Sequence, residues 1–358
     1  MDFKDVLKHF DIQGDVQEVK NYGSGHINET YFVKTDSNSY ILQNLNTQVF
    51  KNYAGVMDNI AKVTSFIKDR VEDKSKCLYL IKTKDGNNYY YKDNSCFRMM
   101  NYVDNSTVYQ QTSNPFILSQ AGFGLGKFIA DLNDFDASSL VEVIPNFHNT
   151  KKRFEDFKEA VKNDNAFRAK KVQEDIKFVL DREYLVSTIV DKIENKTIPL
   201  RVTHNDTKLN NFMFDKDTNE FVCLVDLDTI MPGSLLYDFG DAIRIAASTA
   251  GEEERDLNKV KFDMKAYEAF LSGFIKGIGN SITDEEAKLL HISAKILTFE
   301  IGMRFLGDYL NGDIYFKIHE EDQNLVRARS QLKMVAEIEQ NEKEMENILY
   351  KYYNNRKG

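Results

Sequence analysis

The first hundred residues alternate between apolar and polar positions, which predicts a small antiparallel sheet. A period of two places every second side chain on the same face of a strand, so each strand can turn one face to a core. Residues 49–69 instead have apolar positions at helical spacing and predict a helix that crosses the sheet. We expect strands at residues 17–22, 30–34, 40–45 and 96–100, and a hairpin of 77–81 with 89–92 about the turn at 85–87.

From residue 115 onward the apolar positions recur at helical spacing, so the rest of the chain is expected to be mostly helical. The fold class that follows is α+β, with a small sheet region before a larger helical one. The segment at residues 115–133 is too apolar for a surface and predicts a central helix, and Thr283 and Glu286 have the spacing of a capping box. Further helices are expected at 151–163 and 171–192, between 264 and 310, and over 323–352.

A polar loop at residues 202–211 carries the strongest chemical pattern in the chain. Asp206 follows His204 by two positions and Asn211 closes the loop five residues later, which is the spacing of a kinase catalytic loop. Asp206 can accept a proton from a hydroxyl group, and Lys208 can meet a phosphate. The alternative is a hairpin loop in which the Asp and Asn side chains merely cap turns.

An apolar run at residues 221–227 follows this loop and delivers a carboxylate, Asp226. Asn211 and Asp226 offer oxygen atoms of the kind that Mg²⁺ prefers. Phosphoryl transfer needs mainly positioning and charge neutralisation, so a base, a cation and a metal site suffice for it. Asp238 lies near the start of the next helix, and we expect it to brace the loop rather than take part in the chemistry.

A glycine-bearing turn between the first two strands is a candidate for holding nucleotide phosphates. Gly23, Ser24 and Gly25 can present backbone N–H groups to phosphate oxygens, although such a turn is also an ordinary hairpin connection. On the third strand, Gln43 stands where kinases carry a phosphate-pairing Lys or Arg. Lys34, one strand earlier, is not an obvious substitute, so the sequence leaves open how the phosphates are held.

Residues 101–104 are interpreted as the link between two lobes, 1–104 and 105–358. In kinases the backbone of this link pairs with adenine, which makes Asn101 and Tyr102 candidate nucleotide contacts.

The composition and charge of the chain exclude some classes of partner and favour others. Its 358 residues allow one large or two modest domains, and 42% hydrophobic residues suffice for a sizeable core. The net charge of −9 argues against a general nucleic-acid binder, and it requires that phosphates be held by local cations and metal. No signal peptide or membrane-spanning stretch is recognised, so a cytoplasmic protein is expected. The three cysteines lack metal-ligand spacing and are expected to be buried, reduced thiols.

Taken together, these motifs resemble the aminoglycoside phosphotransferase and choline kinase superfamily. The Asn-Asp-Thr-Lys form of the loop and the Asp-Leu-Asp-Thr form of the following segment are similar to those of sugar kinases within it, and Gln43 fits that subgroup. The stretches that carry the resemblance are 23–28, 40–43, 204–211, 225–233, 236–241 and 304–310.

The resemblance implies a two-lobed, protein-kinase-like fold, with a nucleotide-binding N-lobe and a catalytic, acceptor-binding C-lobe. It implies ATP and Mg²⁺ as cofactors and phosphorylation of the anomeric hydroxyl of N-acetylhexosamines, GlcNAc or GalNAc. Asp206 would be the base that contacts the acceptor, Asn211 and Asp226 the metal ligands, and Arg304 and Tyr315 the sugar contacts.

Other interpretations remain open at this point. The acceptor could be choline, another sugar or an aminoglycoside, or the chain could be a pseudokinase that binds nucleotide as a regulatory module. Arg304 lies in an apolar setting and needs a partner, either Glu300 at helical spacing or a polar ligand. The chain is expected to act as a monomer or a weak homodimer.

Overall fold

In the computed structural model, which describes residues 3–23 and 28–356, the sheet region forms one antiparallel sheet with a helix against it. The spatial order of the strands is β1-β2-β3-β6-β4, and β5 also pairs with β6. The elements are α1 (Phe3–Leu7), β1 (Val16–Asn21), β2 (Glu29–Thr35), β3 (Ser39–Leu45), α2 (Tyr53–Lys68), β4 (Leu80–Ile81), β5 (Tyr90–Lys92) and β6 (Ser95–Asn101).

The predicted hairpin of residues 77–81 with 89–92 is wrong. Strands β4 and β5 both pair with β6 and not with each other. The hairpin actually formed is β5–β6, and its two turn residues, Asp93 and Asn94, have φ values of 50° and 60°. Asp and Asn tolerate this left-handed conformation better than most residues, and two such residues make the turn whose twist matches paired strands.

The two faces of the sheet differ in what they contact. Val33, Leu42 and Met99 pack with Phe10 in a small core on the outer face. The opposite face carries two rows of paired residues, and the large core shared with the helical region lies against it. One row is polar, Thr30–Gln43–Arg98, and the neighbouring row is apolar, Phe32–Ile41–Met100.

The helical region that follows contains short strands and nine helices in the part of the chain that the structure describes. The α+β expectation is confirmed. The strands are β7 (Ser106–Thr107), β8 (Arg201–Thr203), β9 (Phe212–Asp215), β10 (Phe221–Leu224) and β11 (Met231–Gly233). The helices are α3 (Pro115–Asp131), α4 (Thr150–Asn163), α5 (Gln173–Leu180), α6 (Val190–Glu194), α7 (Leu235–Ala246), α8 (Met264–Ile278), α9 (Asp284–Ala287), α10 (Leu290–Asn311) and α11 (Gln323–Asn355).

Helix α3 is central, as its apolar sequence predicts, and it lies unusually close to α8. A Cβ atom at Gly122 would be 1.9 Å from the carbonyl oxygen of Phe270, and one at Gly273 would be 1.8 Å from that of Ser119. Only glycine allows two helix backbones to approach this far. The contact fixes α3, whose Phe128 ring lies against the ring of His204 with 6.4 Å between centroids.

Other sequence expectations have mixed outcomes. The capping box of Thr283 and Glu286 is present at α9, and all three cysteines are buried and free. The single helix expected over 171–192 is wrong, because the segment breaks into α5, a 3₁₀ turn and α6. Within the described part of the chain, none of the helices combines the length and the apolar character that crossing a bilayer requires.

Asn59 on α2 fastens the sheet region to the helical region. Its side chain is fully buried, and its amide donates to the carbonyl oxygens of Val141 at 2.7 Å and Ile230 at 2.8 Å. Its side-chain oxygen accepts from the backbone N–H of Val141 at 2.9 Å. One amide therefore satisfies three backbone groups from two segments of the helical region.

Candidate active site

The loop that follows β8 is held by His204 at its base. The ring is fully buried, its Nε2 donates to the carbonyl oxygen of Val225 at 2.9 Å, and its Nδ1 faces the backbone N–H of Asp206 at 3.3 Å. Because Nδ1 accepts while Nε2 donates, the geometry selects one neutral tautomer. His204 is thus a structural brace that couples the loop to the segment that carries Asp226.

Asp238 braces the same loop from α7, in the structural role expected for it. Its two carboxylate oxygens accept from the backbone N–H groups of His204 at 2.8 Å and Asn205 at 2.7 Å, while Ser234 caps the helix itself. Burial raises the pKa of Asp238 to about 6, although the hydrogen bonds from the backbone N–H groups of His204 and Asn205 favour the carboxylate. Asn205 has a φ of 64°, so the loop turns at a residue type that tolerates this conformation.

Asp206, Lys208 and Asn211 meet at the mouth of the loop. Lys208 Nζ lies 2.7 Å from one carboxylate oxygen of Asp206, and the amide of Asn211 donates to the other at 3.2 Å and to the Asp206 carbonyl at 2.8 Å. Burial alone would lower the pKa of Lys208, but the neighbouring Asp206 carboxylate raises it overall. The loop therefore presents a partly exposed carboxylate and a cation side by side.

Asp226 follows strand β10 and lies close enough to this group to feel the charge of Asp206. The backbone N–H of Val225 donates to the Asn211 carbonyl at 2.9 Å, which keeps the two segments together. Asp226 has a φ of 60°, a costly conformation for a non-glycine residue that is found at functional sites. The residue as a whole is exposed to solvent, but protein atoms surround its carboxyl group closely enough to bury it in part. That burial, together with the negative charges of Asp228 and Asp206, raises its pKa to about 6, while Arg98 acts in the opposite direction.

The oxygen atoms of Asn211 and Asp226 suit a hard cation. Among the described residues, none donates a hydrogen bond to the Asn211 Oδ1 atom or to the Asp226 carboxylate, whereas Asp206, Asp228 and Asp238 all have donors. The same part of the chain contains no cluster of three or more His, Cys, Asp or Glu side chains that could enclose a metal ion. An amide and a carboxylate fit Mg²⁺, which keeps several waters and binds substrate phosphates for its remaining ligands.

The predicted nucleotide contacts lie within the sheet region and at its end. Gly23 has a φ of 76°, which only glycine adopts easily, while Ser24 and Gly25 lie outside the described residues. The Asn101 side chain joins the Cys77 carbonyl and the Tyr79 N–H at 2.9 and 2.8 Å.

The next residue of the link, Tyr102, also has internal partners. Its N–H donates to the Ser39 carbonyl at 3.2 Å, and its ring packs edge-on against Phe32 with 5.0 Å between centroids. The hydrogen bonds of Asn101 and Tyr102 and the ring contact of Tyr102 hold the link in place. The assignment of both residues to the nucleotide remains a prediction.

Arg98 is the residue that the sequence patterns did not single out. It lies opposite Gln43, is only 1% exposed, and its Nε donates to the Gln43 side-chain oxygen at 2.8 Å. Its Nη1 forms a buried ion pair with Asp228. The available signal was a lone arginine in the otherwise apolar strand at residues 96–100, because a buried charge needs a partner.

Arg304 and Tyr315, the two residues that the resemblance assigns to the sugar, lie close together, and that assignment remains a prediction. Arg304 Nη2 lies 3.4 Å from the Tyr315 hydroxyl, and its guanidinium lies 5.7 Å from the ring centroid of Phe147 and 5.5 Å from that of Phe316. Phe147 in turn lies 4.5 Å from the ring of His148, which neighbours Tyr237 of α7 at 5.1 Å. Ring contacts therefore connect this pair to α7, the helix that braces the loop at residues 204–211.

The sequence suggested either Glu300 or a polar ligand as the partner of Arg304. Glu300 does not hydrogen-bond Arg304. One of its carboxylate oxygens contacts His148 Nδ1 at 2.9 Å and the other accepts from the Thr150 hydroxyl at 2.9 Å. Burial would raise the pKa of Glu300, but His148 keeps it below the ordinary value. The pair lies 152 positions apart in the sequence, which no local pattern can reveal.

A model of a phosphotransferase enzyme family matches residues 18–270 of the chain. An aminoglycoside phosphotransferase from Alicyclobacillus acidocaldarius has a similar structure, with a TM-score of 0.59 at 12% identity over 95% of this chain and 96% of that one. A choline kinase from Cryptosporidium parvum gives 0.56 at 14% identity over 94% and 93%. A spectinomycin phosphotransferase in complex with ADP and spectinomycin gives 0.56 at 11% identity over 91% and 94%. At these identities the structures establish a shared fold.

Proposed function

The chain belongs to the phosphotransferase enzyme family, whose ATP-dependent members phosphorylate alcohol groups of small molecules, and we propose that its acceptor is an N-acetylhexosamine. In this proposal the anomeric hydroxyl of GlcNAc or GalNAc receives the phosphoryl group, giving the sugar 1-phosphate. Residues 1–104 form the nucleotide-binding lobe and 105–358 the catalytic and acceptor-binding lobe, in a monomer or weak homodimer. The observation that carries the proposal is the Asp206 carboxylate, held by Lys208 and Asn211 opposite Asp226.

Each residue of this group has a task in the transfer. Asp206 accepts the proton of the acceptor hydroxyl while that oxygen attacks the γ-phosphorus of ATP and the bond from phosphorus to the ADP oxygen breaks. Lys208 lies close enough to Asp206 to neutralise the phosphoryl group in transfer, and Asn211 fixes the orientation of the carboxylate. Mg²⁺ would be held by Asn211 and Asp226 and would neutralise phosphate charge.

The charge of the acceptor side favours a neutral sugar over a cation. Arg304 faces aromatic rings, and burial and the positive charge of Arg304 lower the pKa of the nearby Arg153. Glu300 has both oxygens engaged by His148 and Thr150 and does not offer a free carboxylate. Choline or an aminoglycoside would meet positive charge here, whereas sugar hydroxyl and acetamido groups can accept from Arg304 and bond with the Tyr315 hydroxyl.

The position of the product phosphate tests the acceptor assignment. We expect turnover of free GlcNAc but not of its methyl glycoside, because the glycoside lacks the anomeric hydroxyl, and little turnover of choline or an aminoglycoside. Phosphorus–proton NMR correlation should connect phosphorus to the anomeric proton. A connection to the C6 protons, or turnover of the methyl glycoside, would refute the position while leaving the kinase activity intact. Preferred turnover of choline would refute the sugar.

Activity should fall on acidification because of Asp226. Burial, Asp228 and Asp206 raise its pKa to about 6, so the carboxylate takes up a proton below that pH and loses the lone pair that a metal needs. At limiting Mg²⁺, kcat/KM should rise between about pH 5 and about pH 7. Added Mg²⁺ should move the midpoint to lower pH, since metal and proton compete for one carboxylate. If the midpoint of the pH profile does not change with Mg²⁺ concentration, the titrating group is instead Asp238, whose pKa is also about 6.

A further inference from the structure

We propose that Arg98 supplies the cation that binds the nucleotide phosphates, in place of the basic residue that kinases carry on the neighbouring strand. The inference rests on the proposed ATP-dependent activity and adds a nucleotide contact to it. Arg98 would then hold the phosphate charge in a chain that has Gln43 at the β3 position where kinases carry a Lys or Arg.

The strand register places Arg98 where the missing side chain would reach. Gln43 on β3 and Arg98 on β6 are directly paired, and side chains of paired residues share one face of a sheet. From that face Arg98 extends to Asp228, two residues after Asp226. Asn28, which ends the glycine turn, donates to the other oxygen of Asp228 at 2.7 Å. Arg98 and the end of the turn therefore meet at the same carboxylate.

The guanidinium is oriented before any nucleotide arrives. Gln43 accepts from Nε at 2.8 Å, while its own amide donates to the Thr30 hydroxyl at 3.0 Å, so the glutamine is itself fixed. Asp228 holds Nη1. A planar guanidinium carries five N–H donors in a fixed fork, so two anchored positions leave further donors. Because the side chain is 1% exposed, a bound phosphate has to displace the atoms that cover these donors. Gln43 then acts as a positioning residue for Arg98.

The local charges require such a cation. Asp226 and Asp228 lie two positions apart on one segment, and the Arg98 guanidinium forms a buried ion pair with Asp228. Lys34 lies four residues along β2 from Thr30, about 13 Å away at the rise of an extended strand. Lys20 is paired with Glu18 and lies over the Phe32 ring, in the apolar row. Neither can replace Arg98 at the phosphates.

Binding of Mg·ADP and of adenosine to the same variants separates a phosphate contact from a structural role. Arg98→Gln should weaken Mg·ADP by roughly 10- to 100-fold, the range for hydrogen bonds to charged groups, and leave adenosine affinity within about twofold. Arg98→Lys keeps the charge without the fork and should lose less. Calorimetric titration of the full chain gives both affinities without any acceptor. Equal losses for ADP and adenosine, or no loss for either, would overturn the proposal.

A matched control addresses the loss of a buried ion pair. Arg201 forms a comparable buried pair with Glu286 away from the cleft, so Arg201→Gln should reduce thermal stability but leave the ratio of ADP to adenosine affinity unchanged. If that ratio changes as it does in Arg98→Gln, the effect is structural and the proposal fails. Failure of the wild-type chain to bind Mg·ADP would instead refute the ATP-dependent function.

Moving the cation back to β3 gives a test by rescue. In the Arg98→Gln background, Gln43→Lys should recover most of the lost Mg·ADP affinity, because the two positions are paired and share one face of the sheet. Adenosine affinity should stay as in the single variant. No recovery in a folded double variant would contradict the view that one cation replaces the other.

Discussion

Replacing Asp206 by asparagine is expected to lower kcat by roughly 10²-fold or more, the scale of general-base loss. The amide keeps an oxygen that can accept from Asn211 but cannot take the proton of the acceptor hydroxyl. The ion pair with Lys208 is also lost, yet Lys208 is half exposed, so this pair contributes at most about 1 kcal/mol to folding. Steady-state kinetics with saturating ATP, together with the dissociation constant for ADP, measure the two effects separately.

The matched control for this variant is Asp217→Asn, the same change on the exposed turn between β9 and β10. Asp217 contacts Asn105 at 2.8 Å and is remote from the group formed by Asp206, Lys208 and Asn211, so kcat should be unchanged. Near-normal kcat in Asp206→Asn would remove Asp206 from the mechanism. Loss of ADP binding in that variant would show that the substitution disturbs the cleft rather than the chemistry.

Asp226→Ala is expected to abolish measurable turnover at ordinary Mg²⁺ concentrations. Loss of a metal ligand removes several kcal/mol of transition-state stabilisation, which corresponds to roughly 10³-fold in rate. Folding should be preserved, because Asp226 has no hydrogen-bond partner among the described residues and its strained backbone gains nothing from the carboxylate. Turnover measured across a Mg²⁺ titration, with thermal unfolding in parallel, is the appropriate measurement.

Asn211→Ala should act on the same titration but less severely, by raising the Mg²⁺ concentration needed for half-maximal rate. Its amide also orients Asp206, so a moderate fall in kcat at saturating Mg²⁺ is expected as well. If both variants keep the wild-type Mg²⁺ response, the metal site lies elsewhere.

Local patterns predicted the fold well where short-range chemistry decides it. The three first strands, the helix that crosses the sheet and the apolar α3 follow from periodicity alone. The errors share a physical cause. The turn at Gly86 has strong turn chemistry, yet Asp93 and Asn94 make the hairpin, because pairing with the long strand β6 decides which neighbours a short strand takes.

The residues of the candidate site were likewise predictable only where they lie close together in the sequence. Asp206, Lys208 and Asn211 fall within six consecutive positions, so a motif can identify them together. Arg98 and Gln43 lie 55 positions apart, and Arg98 and Asp228 lie 130 apart. Such partners are brought together by sheet register and packing of the two regions, which a single sequence does not display.

The anchoring of α2 by Asn59 bears on how the activity is governed. In protein kinases the position of the helix that crosses the sheet is what activation controls. Here that helix cannot swing outward without breaking the hydrogen bonds of Asn59 to Val141 and Ile230, and the buried Ile230 carbonyl alone would cost about 1–3 kcal/mol if left unpaired. The cleft is therefore assembled from the moment the chain folds. We therefore expect the activity to require no signal that repositions α2.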